Sequence, residues 1–243
     1  MAPIELAPII FAIAAGVIPA IFWLWFWLHE DEAHPEPKPL IGLVFVFGCL
    51  AVIPAFILEK ALGVTDVLGS GNELFLILLI WAVIEEGLKF LAVYGVALKS
   101  RFYDEPVDAM IYMITAALGF AAVENTLFIL SNLLDKGPNG IEYLLTGNFR
   151  FLGATLVHIV ASALIGWAIG LTYNSRLGKK IGYFILGLTG AIVLHALFNY
   201  FIIKSNGGQI FKIFGLLWLA GVVIIFLFEK VKQDINQKTI SSI

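Results

Sequence analysis

Charge is what this sequence has least of. Lys, Arg, Asp and Glu make up 14% of its 243 residues, against roughly 25% in an average soluble domain. Apolar residues reach 60%, before 23 glycines are added, and the mean hydropathy is +0.94. A water-soluble globule cannot hide that much apolar surface. A soluble enzyme, a disordered chain and a nucleic-acid binder are therefore excluded, and no nucleic acid is expected as a partner. Cysteine is nearly absent: Cys49 alone, inside an apolar run, gives no disulfide framework and no Cys-based metal site. The net charge of −3 is too small to call for an acidic or basic partner. No Lys or Arg precedes the first apolar run, which is long enough to span, so no cleavable signal peptide is expected. With no internal repeat or soluble appendage, residues 1–243 read as a single membrane domain.

What is present is a series of long apolar stretches separated by short polar ones. In a bilayer, unpaired backbone groups have no solvent, so each stretch reads as a helix. The expected fold is all-α, a polytopic bundle of about seven transmembrane helices at 7–28, 40–58, 74–98, 109–134, 150–173, 181–203 and 212–228. Trp23, Trp25, Phe26 and Trp27 fit an interfacial belt closing the first span. Seven spans place the termini on opposite faces. Lys60, Lys136, Arg150, Lys204 and Lys212 lie on the N-terminal face. Lys38, Lys99, Arg101, Arg176, Lys179, Lys180, Lys230, Lys232 and Lys238 lie on the other. The positive-inside rule then puts the N-terminus outside and the C-terminus in the cytoplasm of an integral membrane protein.

Six ionisable residues fall inside spans: Glu85, Glu86, Lys89, Glu124, His158 and His195. A charge at a helix centre costs about 2.5–3.5 kcal/mol on insertion scales, so the four formally charged ones carry on the order of 10 kcal/mol unless paired or wetted. An ion pair explains Glu86 with Lys89, three residues apart. It leaves a second glutamate beside it and a third on the next span. Counted from the N-terminal face, Glu85, Glu124, His158 and His195 lie roughly 12–17 Å deep at about 1.5 Å per residue. Four consecutive spans thus bring polar groups to one layer. Asn125 follows Glu124 directly, and Asn199 lies one turn beyond His195, placed to donate to a developing oxyanion.

The chemistry open to such a layer is narrow. There is no GxSG serine signature, no YD/GxGD aspartyl pair and no HExxH. Ser162, four after His158, reads as a small packing hydroxyl. What remains is activation of water by a carboxylate or imidazole, with a second carboxyl as acid, because two close carboxylates in a dry setting resist ionising together. No cofactor is expected, with a divalent metal such as zinc left as an alternative because His and Glu are zinc ligands. A proton-coupled transporter or channel is the rival from another class, since Glu and His chains also relay protons.

The motifs resemble those of PrsW-type glutamic intramembrane proteases, relatives of the CAAX-prenyl protease and bacteriocin-processing superfamily. Glu85-Glu86-Gly87-Leu88-Lys89 matches EExxK, and Phe120 to Asn125 matches FxxxEN. His158 matches the family's first membrane histidine, and His195 with Asn199 its HxxxN. Asp31 to Pro37 is close to an acidic-Pro signature, and Tyr103 to Asp108 matches a second loop signature. The resemblance covers residues 20–200. It implies an intramembrane endopeptidase with a non-covalent, glutamate-activated water, acting on membrane-protein substrates in a prokaryotic cell membrane. An anti-sigma factor is one such substrate in the family. The implied catalytic residues are Glu85, Glu86, Glu124, His158 and His195, supported by Lys89, Asn125 and Asn199. Glu85 and Glu86 are both open as the base. The two loop signatures fall on the face opposite the polar layer's nearer edge, and their role is left open.

Overall fold

The computed structural model describes residues 6–32, 34–62, 73–136, 150–205 and 208–240. Ala33 of the acidic-Pro signature lies outside them, as do the side chains of Lys136, Arg150 and Lys238, which entered the charge bias. Among the described residues there are seven helices and no strand. They are α1 (Leu6–Glu30), α2 (Lys38–Ala61), α3 (Leu74–Val96), α4 (Asp108–Lys136), α5 (Arg150–Leu171), α6 (Leu177–Lys204) and α7 (Ile210–Ile240). Six are long and apolar enough to cross a membrane. The exception, α3, has 23 residues, and it carries three charged residues, Glu85, Glu86 and Lys89, within two turns. The last helix is longer than the 212–228 segment read from hydropathy, because its apolar stretch continues into a polar turn-after-turn extension.

The bundle is built around α4 and α5. In both, most of the apolar window is buried inside the protein, whereas the outer helices bury a third or less. α4 packs against α1, α2 and α5, and α5 against α4, α6 and α7. Small residues permit this closeness. A Cβ on Gly119 would stand 2.1 Å from the Phe45 carbonyl oxygen, and one on Gly48 would stand 2.2 Å from the Ala116 carbonyl oxygen. These reciprocal contacts set the spacing of α2 and α4. The outer surface is apolar and faces lipid, with Phe226 71% and Leu186 65% exposed. The expected aromatic belt divides. Trp25 faces outward and stacks on His29, while Trp27 turns inward against Phe228, with ring centroids 5.3 Å apart.

Candidate active site

Four helices deliver the site. Positions 85, 86 and 89 share a turn of α3. Glu124 comes from α4, His158 and Ser162 from successive turns of α5, and His195 from α6. All five residues expected to be catalytic converge, with Lys89 among them. Glu85, Glu86, Lys89, His158, Ser162 and His195 are buried. Glu124 is the more open member, with its side chain 38% exposed.

Glu86 is fully engaged. Its Oε1 accepts from Lys89 Nζ at 2.7 Å and lies 3.0 Å from His195 Nδ1, and its Oε2 accepts from Ser162 Oγ at 2.7 Å. Lys89 also donates to His158 Nδ1 at 2.7 Å and lies over the Phe120 ring, 4.4 Å from its centroid. An ammonium has only donors, so His158 Nδ1 must accept, which puts the ring proton on Nε2. That N–H donates to Glu124 Oε2 at 2.6 Å. By the same chemistry His195 Nδ1 carries its proton toward Glu86, leaving the Nε2 lone pair open. Each imidazole is therefore backed by a carboxylate that fixes its tautomer and orientation.

Glu85 is the odd member. Its Oε2 is buried and has no hydrogen-bond partner among the described residues. It faces Lys89 Nζ at 3.5 Å, His195 Nε2 at 3.8 Å and His158 Nδ1 at 3.9 Å. A carboxyl oxygen thus lies within 4 Å of two imidazole nitrogens. The rings of His158 and His195 stand nearly perpendicular, 4.9 Å between centroids. Beside them is a cavity of about 20 Å³ lined by Glu124, Asn125, His158, His195 and Asn199, among others. That volume suffices for one water.

The remaining expected residues have separate duties. Asn125 lines the cavity and donates to Thr155 Oγ1 at 2.9 Å, tying α4 to α5. Asn199 lines the same cavity from α6. The sequence reading took Ser162 for a packing hydroxyl and did not single out Glu59. Ser162 is an anchor for Glu86, signalled only by its four-residue spacing from His158. Glu59, on the last turn of α2, is within electrostatic reach of Glu85, Glu124 and Lys89. It was missed because the apolar run ends at 58 and the helix continues to Ala61.

The donors also fit a divalent ion in kind and spacing. Glu85, His158 and His195 each offer an atom within one set no wider than 4.8 Å, and a Glu with two carboxylate-backed histidines is a familiar zinc-ligand set. Lys89 would share His158 Nδ1 with such an ion, so the two cations compete for that nitrogen.

A profile described as PrsW family intramembrane metalloprotease matches residues 36–228. The chain belongs to the PrsW family. PrsW proteases similar to it include that of Geobacillus kaustophilus, 29% identical over 224 residues covering 91% of each chain. Protease PrsW of Clostridioides difficile is 25% identical over 189 residues, 76% of each chain. Protease PrsW of Bacillus subtilis is 24% identical over 188 residues, 77% of this chain and 81% of that one. No solved structure matches. Membership in the PrsW family makes this an intramembrane protease by family and an integral membrane protein. It supports intramembrane proteolysis over the transport set against it.

Proposed function

We propose that this protein hydrolyses peptide bonds of membrane-embedded proteins at the Glu85 layer, with Glu85 as the water-activating carboxylate. The observation that carries this is the Glu85 Oε2 atom, buried without a donor and facing two oriented imidazole nitrogens. Glu86 suits the base role less well, since donors or an imidazole occupy both of its oxygens. Glu86 instead positions Lys89 and His195.

In the proposed reaction, water attacks the scissile carbonyl carbon while Glu85 takes one of its protons. The oxyanion that forms can receive a hydrogen bond from the Asn199 amide at the cavity wall. Collapse breaks the C–N bond as the proton held by Glu85 passes to the leaving amine. Glu124 and Glu86 keep the two imidazoles in place, and the surrounding apolar helices exclude bulk water. A divalent ion bound by Glu85, His158 and His195 would lower the pKa of a coordinated water and polarise the carbonyl.

From the resemblance, the reading extends to a single-span substrate such as an anti-sigma factor, in a membrane where the N-terminus lies outside and the C-terminus in the cytoplasm. The test is hydrolysis of a single-span reporter by the purified protein in liposomes, with the products read by mass spectrometry. The expected result is two fragments and one atom of labelled solvent oxygen in the new carboxylate. Chelator treatment followed by zinc addition reports on the ion. Proton flux without cleavage in any condition would overturn the proposal.

A further inference from the structure

Two buried polar atoms without a hydrogen-bond partner among the described residues belong to one stretch of α3: Trp81 Nε1 and Glu85 Oε2. Four positions apart, the two side chains share a helix face, about 6 Å along the axis at 1.5 Å per residue. Trp81 is on the side nearer the N-terminal face. Its level is fixed by two crossings with the antiparallel α6. The rings of Phe75 and Tyr200 lie 5.7 Å apart, and Glu86 Oε1 meets His195 Nδ1 at 3.0 Å. Trp81 falls between those crossings on α3. Asn199, which lines the site cavity, falls between them on α6. The indole and the amide thus share the layer next to Glu85 and His195 on the side of the N-terminal face.

Glu85 has a part in the proposed reaction and Trp81 has none. An indole N–H only donates, and a buried donor without an acceptor costs free energy that a partner recovers. Trp27 and Trp167 also have buried Nε1 atoms without an acceptor among the described residues. They stand away from the layer: α1 gives the site no residue, and Trp167 lies nine positions past His158 toward the opposite face. A substrate brings acceptors to Trp81. Where a spanning segment unwinds to be cut, its freed carbonyls have no water to bond in the bilayer. In an extended chain, carbonyls on one side recur every second residue, at about 6.4–6.8 Å. That repeat is close to the 6 Å step from Trp81 to Glu85 given by about 1.5 Å per residue.

We infer that the Trp81 indole N–H donates to a substrate backbone carbonyl two residues from the bond attacked at Glu85. The inference rests on the protease reading and adds a substrate-binding residue to it. Trp81 touches none of the reacting atoms. It holds the unwound segment extended along α3, so that the carbonyl one repeat further on is the one presented to Glu85 and its water. The contact reads backbone and not side chain. Every residue type carries the carbonyl it needs, so single-span substrates of unlike sequence can share it.

The test removes substrate carbonyls one at a time. Binding is measured in nanodiscs with the Glu85→Gln protein, so that no turnover intervenes. The probes are copies of one single-span peptide, each with one amide replaced by an (E)-alkene. At one position the alkene should weaken binding roughly three- to tenfold, the worth of one neutral hydrogen bond. That position should lie two residues from the cut made by the wild-type protein. Adding Trp81→Phe should erase the difference there. Benzothienylalanine in place of Trp81, which keeps the ring and lacks only the N–H, should erase it too, and decides the matter if the phenylalanine variant misfolds. A difference that survives the loss of the N–H, no sensitive position at all, or one elsewhere than two residues from the cut would overturn the inference. Sensitivity that depends on Trp81 in a protein that never cleaves would uphold the contact and sink the protease reading alone.

Discussion

Glu86 and Lys89, one turn apart on α3, hold Oε1 and Nζ at 2.7 Å with neither side chain exposed. Each is the other's answer to burial in a membrane. Removing one partner of a buried pair leaves an uncompensated charge, costing about 3–5 kcal/mol. Lys89→Met should accordingly lower the unfolding midpoint in detergent by many degrees. Combining it with Glu86→Gln should recover part of the loss. A midpoint unchanged in Lys89→Met would show that the pair carries no such burden.

Ser162→Ala removes the donor to Glu86 Oε2 and little volume. Leaving that oxygen unsatisfied costs about 1–3 kcal/mol. Because Glu86 holds His195, the loss should appear in kcat, roughly a tenfold fall, more than in the unfolding midpoint. Ser162→Thr, which keeps the hydroxyl, should retain more activity than alanine. Equal kcat in Ser162→Ala and the wild-type protein would remove Ser162 from the positioning network.

Gly119→Leu should separate α2 from α4, since even the first side-chain carbon would meet Phe45 backbone at 2.1 Å. Overpacking of this kind costs typically 1–3 kcal/mol or more. A lowered unfolding midpoint is expected, whereas Gly87, whose Cβ would meet nothing within 4 Å, should accept alanine without that penalty.

In the loops, burial, with the negative Glu36 adding to it, pushes the Asp31 carboxyl up to about 7 from an ordinary 3.8, against the pull of Lys232. The folded protein therefore holds a proton there that the unfolded chain releases, and stability falls as pH rises from about 4 to about 7. Glu36 is raised as well, chiefly by burial. Asp31→Asn should flatten this part of the profile, measured as unfolding midpoint against pH. A profile identical to that of the wild-type protein would contradict the assignment.

The sequence made the layer legible through depth. Glu85, Glu124, His158 and His195 could be placed together because helix rise fixes how far along each span a residue lies. Rotation about each helix axis was not legible, since apolar residues surround every span. That is why Glu85 and Glu86 could not be told apart: they are about 100° apart, and which one meets Ser162 depends on how α3 turns toward α5. The same limit hid Ser162 itself and the lysine bond to His158. Helix ends followed another rule. Hydropathy stops at Leu58, but backbone pairing carries α2 on to Ala61 and brings Glu59 into the spanning helix. The meeting of Glu36 with Tyr112, 76 residues apart in the chain, is tertiary and had no local signature.

The most direct test of the account compares Glu85→Gln with the wild-type protein on a single-span reporter in liposomes, after both are shown to unfold at similar temperatures. Losing the water-activating carboxylate should cut the rate by about 10²–10⁴-fold while reporter binding persists. A Glu85→Gln protein that cleaves at the wild-type rate would contradict the central claim.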